Sequence, residues 1–540
     1  MSAYPKRDGT SMTFPLEIFK EILDHLAFDL SERDKIQPSQ KNLKTAMKDL
    51  SLVSKGFAYI CQPYVFEDIN VSLLQLGRQD CTGATTRLSN LAAFIDENPH
   101  ISLKVRHMEG MFDKEYHHDG AWAPVLHLPS LSSLKLSTIY IARPRRSSIN
   151  YISTETEHPF DSHSFGCQTL LDNYLPSSAL TNLTLEFMHN VPIVTILSSP
   201  SLKSLKLNGC SIPSSFALPF VHAQTTGFNL EVFHAPNSAQ VPLGLLAYCT
   251  RLEELVCDRS SSTPSNPVNI TLDAENDLPF SNLRKVQLGG VGEVVDWNEL
   301  YRFAEVQQQH DSSVVAFPKL SSLAIALNSN LDEVLGGPDN LPPISKMFKH
   351  APQLKAVEIC GANATLFDLR YLKSCRDHLT SLSLQWSFLS NSYGMIEVTL
   401  EDALSHLSTI QLPALETFRL QIYLGKGAYG VQDVHFSLWK LARLKKVFFG
   451  KEHQFPALQA LELGVVLHVV NYYDDDDDDE EEDEEEEEVT VEQLKKGVVE
   501  DQWSFAAHKA GLEKTYTNYL TQFGLDAKFK YTVEVQVKEV

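Results

Sequence analysis

The chain has 540 residues, of which 43% are hydrophobic, so it is too long for one ordinary hydrophobic core. Residues Asp474–Glu488 form an unbroken acidic run, and removing its 15 charges from the net charge of −23 leaves −8. A mildly acidic folded part without clustered Lys and Arg excludes the electrostatic footprint of a nucleic-acid-binding protein.

The eight cysteines contain no C-x-x-C pair, which is typical of reduced thiols used as small apolar side chains. No apolar run reaches the length of a membrane span, and the N-terminus lacks the apolar region of a signal peptide. We therefore expect a cytoplasmic or nuclear protein, or one found in both compartments, without a membrane partner.

The first 75 residues predict a small helical module. Residues 1–12 are polar and predicted to be disordered, and residues 13–75 form the module itself. Phe14–Leu26 has the apolar spacing of an amphipathic helix with Pro15 in its first turn. A second helical stretch contains Leu50–Phe57, and Tyr64–Ile69 leads into a strand.

The module resembles an F-box. The family pattern L-P-x-E-I/L is matched by Phe14-Pro15-Leu16-Glu17-Ile18, and its later L-V-S-K-x-W element by Leu52-Val53-Ser54-Lys55-Gly56-Phe57. Phe57 and Phe66 stand where the family has tryptophan, and the insert between the helices is longer than usual. The resemblance implies that the module binds a Skp-type adaptor and, through it, a cullin. The residues that either dock on the adaptor or form the module's own core are Pro15, Leu16, Ile18, Ile22, Leu23, Leu52, Val53 and Phe57.

A repeated leucine pattern organises residues 76–473. Leu202, Leu205 and Leu207, followed by Cys210 and Ile212, fit the leucine-rich-repeat pattern L-x-x-L-x-L-x-x-N/C-x-L. The first three apolar positions of this pattern recur in other units, each named here by its first leucine. A proline precedes that leucine in the units at Leu131, Leu320, Leu354, Leu415 and Leu458. The units without this proline are those at Leu180, Leu230, Leu252, Leu283, Leu379 and Leu444. Since a single unit cannot bury its own apolar face, neighbouring units should stack.

The predicted fold class is therefore α/β. It consists of the helical module followed by an irregular leucine-rich-repeat solenoid, with parallel strands on the concave side and helices on the convex side. An F-box followed by such repeats is a known arrangement, similar to fungal F-box proteins. The alternative interpretation is that the N-terminal helices only cap the solenoid.

Residues that alternate with the core leucines should face outward on the concave side and bind a protein target. The candidates are Lys135, Thr184, Glu186, Lys206, Asn208, Glu254, Lys285, Gln287, Glu358, Gln385 and Arg419. A target that uses the loops or the convex face instead is the other possibility left open by the sequence.

The C-terminal part contains the acidic run, and residues 474–489 are predicted to be disordered because like charges repel. Residues 490–540 are predicted to close the solenoid with a helix over Val498–Phe523 and a strand over Tyr531–Val537.

Signals for catalysis are weak. Gly425–Gly430 spells G-x-G-x-x-G but lacks the surrounding elements of a nucleotide site, and it is interpreted as a turn. His117 and His118 lie among acidic residues without a recognised metal spacing, so no metal, cofactor or catalytic residue is predicted. We expect a non-catalytic receptor subunit of a Skp–cullin–F-box ubiquitin ligase that recognises a protein target. The alternative is a leucine-rich-repeat scaffold without a ligase role.

Overall fold

The computed structural model describes Glu21 and residues 42–53, 55–72, 90–91, 93–112, 125, 127–138, 167–213, 228–238, 241–257, 279–289, 300, 305, 308, 313–327, 343–361, 369–388, 405, 407–426, 455–471 and 529–539. These residues belong to two compact units. Unit 1 contains the described residues up to 138 together with 167–187 and 199–202, and unit 2 contains 188–198 and the described residues from 203 onward.

Unit 1 begins with two packed helices, α1 (Asn42–Ser51) and α2 (Lys55–Val65). Met47 on α1 is buried with Ile60 and Cys61 on α2, and Leu50, Tyr64 and Val65 pack against this cluster. Two shorter helices follow, α3 (Pro99–Ser102) and α4 (Cys167–Tyr174). This part of the chain therefore has a small apolar core of its own.

Four strands of unit 1 form a parallel sheet: β1 (Asp68–Ser72), β2 (His107–Phe112), β3 (Ser133–Thr138) and β4 (Asn182–Glu186). Each strand pairs with the next one in the chain, as stacked repeats require. β1 lies within the range predicted for the helical module, yet it pairs in parallel with β2. The sheet thus starts earlier in the chain than the leucine pattern does.

Unit 2 continues with strands β5 to β14, and each of them pairs in parallel with the next. Their bounds are Ser204–Asn208, Val232–Ala235, Glu254–Cys257, Lys285–Leu288, Ser322–Leu327, Ala356–Gly361, Ser381–Phe388, Thr417–Lys426, Ala460–Asn471 and Phe529–Glu539. Its helices are α5 (Ile193–Leu197), α6 (Leu243–Leu246), α7 (Pro343–Lys349) and a 3₁₀ helix (Leu369–Ser374).

One row of buried side chains crosses strands β5 to β13. Every member is at most 3% exposed, and the row consists of Leu205, Phe233, Leu255, Val286, Leu323, Val357, Leu382, Phe418 and Leu461. Because side chains alternate along a strand, the residues on either side of each member point to the opposite face of the sheet. The parallel strands, the alternation and the intervening helices confirm the predicted leucine-rich-repeat fold class.

The prolines of the repeat pattern occupy tight turns. In five repeats the N–H of the first leucine donates to the carbonyl three residues earlier, and proline is the second residue of each turn; the bonds are Leu131 to Leu128, Leu320 to Phe317, Leu354 to Ala351, Leu415 to Leu412 and Leu458 to Phe455. Proline suits this position because its fixed φ matches the turn and its missing N–H is not needed there. The proline thus directs the chain from each turn into the following strand.

Several predicted boundaries differ from the structure. α1 ends at Ser51 and α2 begins at Lys55, so the Leu52-Val53 pair lies between two helices rather than within one. β12 pairs directly with β13, so no strand from the predicted repeat unit at Leu444 lies between them, and Leu444 itself is outside the described residues.

At the C-terminal end, the predicted strand over 531–537 is present within β14. Gly425 and Lys426, predicted to open a turn, belong to β12 instead. The predicted helices over 14–26 and 498–523, apart from Glu21, lie outside the described residues, as do the acidic run and the two histidines at 117 and 118.

Candidate protein-binding face

Within each unit, the strand side chains that face solvent form a surface, which we call the open face of that unit. These strands are β1 to β4 in unit 1 and β5 to β13 in unit 2. All predicted target-binding residues lie on the open face of their unit, and each is exposed or half-buried: Lys135, Thr184, Glu186, Lys206, Asn208, Glu254, Lys285, Gln287, Glu358, Gln385 and Arg419. Alternation with the buried leucines explains why these side chains point to solvent.

An ion-pair network covers the open face of unit 1. Lys135 Nζ lies 3.0 Å from Glu109 Oε1 and 3.1 Å from Glu186 Oε2. Asn70 Nδ2 donates to Glu109 Oε2 at 3.1 Å. Hydrogen bonding to Glu109, and then to Glu186, raises the pKa of Lys135 although partial burial acts to lower it. Partly exposed pairs of this kind contribute little stability, about 0–1 kcal/mol each, so they can exchange for contacts with a partner.

Sequence reasoning missed Glu109 and Asn70. They lie on β2 and β1, whose sequences lack the leucine pattern, and register places them beside Lys135 in the order Asn70, Glu109, Lys135. Only the alternation of buried Val71 and Met108 with polar residues could have indicated their positions.

A second network crosses β6, β7 and β8 in unit 2. Lys285 donates to Glu254, and His234 Nε2 lies 3.2 Å from the same carboxylate oxygen. Burial lowers the pKa of His234 in spite of Glu254. Burial also acts to raise the pKa of Glu254, but the hydrogen bond from Lys285 and the neighbouring positive charges lower it overall. The network thus favours the ionised form of Glu254 beside Lys285, whereas burial disfavours the protonated form of His234.

A third group lies on β10 to β13. Glu358 accepts a hydrogen bond from Gln385, and Cys360 Sγ lies 3.8 Å from the same carboxylate. Burial, with a contribution from Glu358, raises the pKa of Cys360 to about 12. A thiol that is protonated at neutral pH is a poor nucleophile. Further along, Arg419 Nε lies 3.8 Å from Glu462 Oε2.

Two residues that alternation places on the open face are nevertheless buried. Val256 is 8% exposed and Ser137 is 3% exposed. Both side chains are short, so longer neighbours can cover them, and alternation alone does not report this.

The predicted adaptor-binding residues are described only in part. Leu52 and Val53 are 83% and 68% exposed, whereas Phe57 is half-buried. Pro15, Leu16, Ile18, Ile22 and Leu23 lie outside the described residues.

The described part of the chain contains no group of three or more His, Cys, Asp or Glu side chains arranged to hold a metal ion. Six described cysteines are not in disulfide bonds, namely Cys61, Cys210, Cys249, Cys257, Cys360 and Cys375. None of the helices in this part is long and apolar enough to span a bilayer.

The stability of unit 2 is expected to fall as the pH is lowered from 7.5 to 5. Burial lowers the pKa of both His234 and His350, so the unfolded chain binds more protons than the folded one once the pH drops below about 6.5. Each histidine lowers the free energy of unfolding by at most about 1.4 kcal/mol for each pH unit below about 6.5. This loss of stability is complete once the pH is below the pKa of that histidine in the folded protein. Glu254, with its lowered pKa, adds a separate loss only near and below about pH 4.5.

Urea unfolding at several pH values measures this dependence, and His350→Gln should reduce its slope between pH 6.5 and 5. His350 is 3% exposed, so its proton uptake requires unfolding or local opening. A wild-type midpoint that is constant or rises over this interval would contradict the prediction.

No protein-family model matches the chain, and no curated protein matches its sequence. Among solved structures, an internalin from Listeria monocytogenes is similar over 81% of this chain and 92% of its own, with a TM-score of 0.31 and 11% sequence identity. A similarity this low supports no argument, so the fold assignment depends on the strands and register of the chain itself.

Proposed function

We propose that this chain is a non-catalytic substrate receptor of a Skp–cullin–F-box ubiquitin ligase. The observation that carries the proposal is the exposure of Leu52 and Val53, 83% and 68%, at the junction of two packed helices. Adjacent large apolar side chains exposed in this way are typical of interaction sites. They belong to the sequence element that resembles the F-box, and a Skp-type adaptor is the partner that this resemblance implies.

The packing of α1 and α2 supports a docking role for these two residues. Their shared core is formed by Met47, Ile60 and Cys61, with Leu50, Tyr64 and Val65 around it. Leu52 and Val53 are therefore not needed to fill that core, which leaves their side chains available to a partner. Phe57, which is half-buried, contributes less surface to such a contact.

The proposed mechanism is positional. The helical module binds the adaptor and through it a cullin, while the open face of the repeats holds a protein target. A separate conjugating enzyme then acts on a target kept at high effective concentration. The described cysteines form no disulfide bonds, which supports a cytoplasmic or nuclear location, where such ligases work on reduced proteins.

The second candidate is a leucine-rich-repeat scaffold whose N-terminal helices only cap the repeats. The observation in its favour is that β1, directly after α2, pairs with β2 and so joins the helices to the sheet. Terminal repeats need such a cover over their apolar face. A scaffold of this kind would bind its protein partner without an adaptor.

Leu52→Asp in the full chain is expected to weaken binding to a purified Skp-type adaptor by at least about thirtyfold. Burying a carboxylate in an apolar interface costs about 2 kcal/mol or more, which corresponds to that change in Kd. Biolayer interferometry with immobilised adaptor measures it directly.

Leu103→Asp is the matched control, because Leu103 is also exposed, at 60%, but lies outside the F-box-like element. It should bind the adaptor as the wild type does, and both variants should keep the wild-type urea midpoint. Absence of adaptor binding by the wild type, or equal binding by Leu52→Asp, would remove the ligase proposal and favour the scaffold.

A further inference from the structure

An unpartnered hydroxyl lies beside the ion-pair network of unit 1. Ser137 is 3% exposed, and within the described part of the chain its Oγ has no hydrogen-bond partner. Register places Ser137 opposite Glu186, and alternation points it to the same open face as Lys135. Buried hydroxyls are nearly always paired, so this one indicates a partner other than the described residues of the chain.

Glu186 offers a second acceptor next to it. Its Oε2 faces Lys135 Nζ at 3.1 Å, whereas no described residue donates to its Oε1. Neighbouring strands lie about 4.8 Å apart, so the two acceptors are within the span of one planar side chain. The open face of unit 1 is also acidic, because Asp68, Glu109 and Glu186 outnumber Lys135. A cationic donor group therefore suits this position.

The residue after Glu186 adds an aromatic surface. Phe187 is 47% exposed and has a φ of 58°, in the left-handed region that bulky residues rarely adopt. Strained residues of this kind cluster at binding and active sites, so the conformation of Phe187 motivates a functional hypothesis. An exposed ring in the residue that follows a carboxylate is a suitable platform for a guanidinium group, which stacks on aromatic faces while its N–H groups bind an anion.

We propose that Glu186, Ser137 and Phe187 bind an arginine side chain of the protein target. The guanidinium has five donors in a fixed plane and no acceptor, so it can bind a carboxylate and a hydroxyl together. Lys135 must release Glu186 to admit it, and the partial exposure of that ion pair makes the exchange cheap. This inference rests on the proposed function, because it names the side chain that the open face recognises.

Two nonapeptide libraries with arginine or its neutral isostere citrulline fixed at the centre test the proposal, with labelled full-length protein as the binder. The wild type is expected to prefer the arginine library by about tenfold, the effect of one charge-assisted hydrogen-bonded contact. Glu186→Gln should reduce the preference to within about twofold. Ser137→Ala should reduce it several-fold without lowering the urea midpoint, because it removes a hydroxyl that has no partner.

A third library with lysine at the centre separates guanidinium recognition from simple attraction to an acidic face. Equal binding of lysine and arginine, equal binding of citrulline, or an unchanged preference in Glu186→Gln would each overturn the inference. Glu416→Gln removes an exposed carboxylate in the turn before β12 and should leave the preference intact.

Adaptor binding by the same proteins keeps this inference distinct from the ligase proposal. Glu186→Gln should bind the adaptor normally. An arginine preference without adaptor binding would support the site and remove the ligase, whereas adaptor binding without an arginine preference would overturn the site alone.

Discussion

Phe233→Ala is expected to lower the free energy of unfolding by about 3–5 kcal/mol. Phe233 is fully buried in the middle of β6, and register places it between Leu205 on β5 and Leu255 on β7. The substitution removes the largest of these three side chains and leaves a cavity that the leucines on both sides cannot fill. Since repeat proteins are stabilised mainly by contacts between neighbours, two interfaces weaken at once. Urea unfolding followed by far-ultraviolet circular dichroism measures the change.

Phe187→Ala is the matched control, because the same atoms are removed from a side chain that is 47% exposed. Its effect should stay below about 1 kcal/mol, as for surface substitutions in general. Phe233→Leu, which keeps most of the volume, should cost less than about 1.5 kcal/mol. Similar losses for Phe233→Ala and Phe187→Ala would mean that the row of buried side chains does not hold the repeats together.

The repeat strands could be predicted from the sequence because burial imposes a period of two on each of them. Leu205 and Leu207 show the period plainly, and the proline in five of the turns marks where each strand is about to begin. The same alternation predicted which polar side chains would face solvent. Leu444 had a similar local pattern, yet β12 pairs directly with β13, because strand pairing depends on contacts that a local pattern does not report.

The networks on the open face could not be predicted in the same way. His234 lies in the weakest of the predicted repeats, and its proximity to Glu254 depends on register and on the length of both side chains. The exposure of Leu52 and Val53 also required the structure, because their sequence fits a helical core as well as a docking surface. Local periodicity thus indicates which face a residue is on, whereas its partners follow from the neighbouring strands.

Gly289→Ala is expected to lower the free energy of unfolding by about 2–4 kcal/mol, from two costs that act together. Gly289 follows β8 with a φ of +88°, which L-residues other than glycine rarely adopt. A Cβ at this position would also lie 2.5 Å from the carbonyl oxygen of Ala326 on β9, and a backbone carbonyl within a paired strand cannot move aside. The N–H of Gly289 donates to the carbonyl of Cys257 at 2.9 Å, which holds Gly289 against β7 on its other side.

Asn237→Ala separates the two costs, because Asn237 already has a Cβ at a φ of 55° just after β6. Its replacement retains the left-handed backbone without introducing a new atom against a neighbouring strand, and should cost about 1 kcal/mol or less. The comparison is made by the urea midpoints of the two variants and the wild type. If Gly289→Ala were no more destabilising than Asn237→Ala, the close approach of β8 and β9 at Ala326 would not be a constraint on the fold. If it is several-fold more destabilising, as we expect, the spacing between these two repeats requires glycine at position 289.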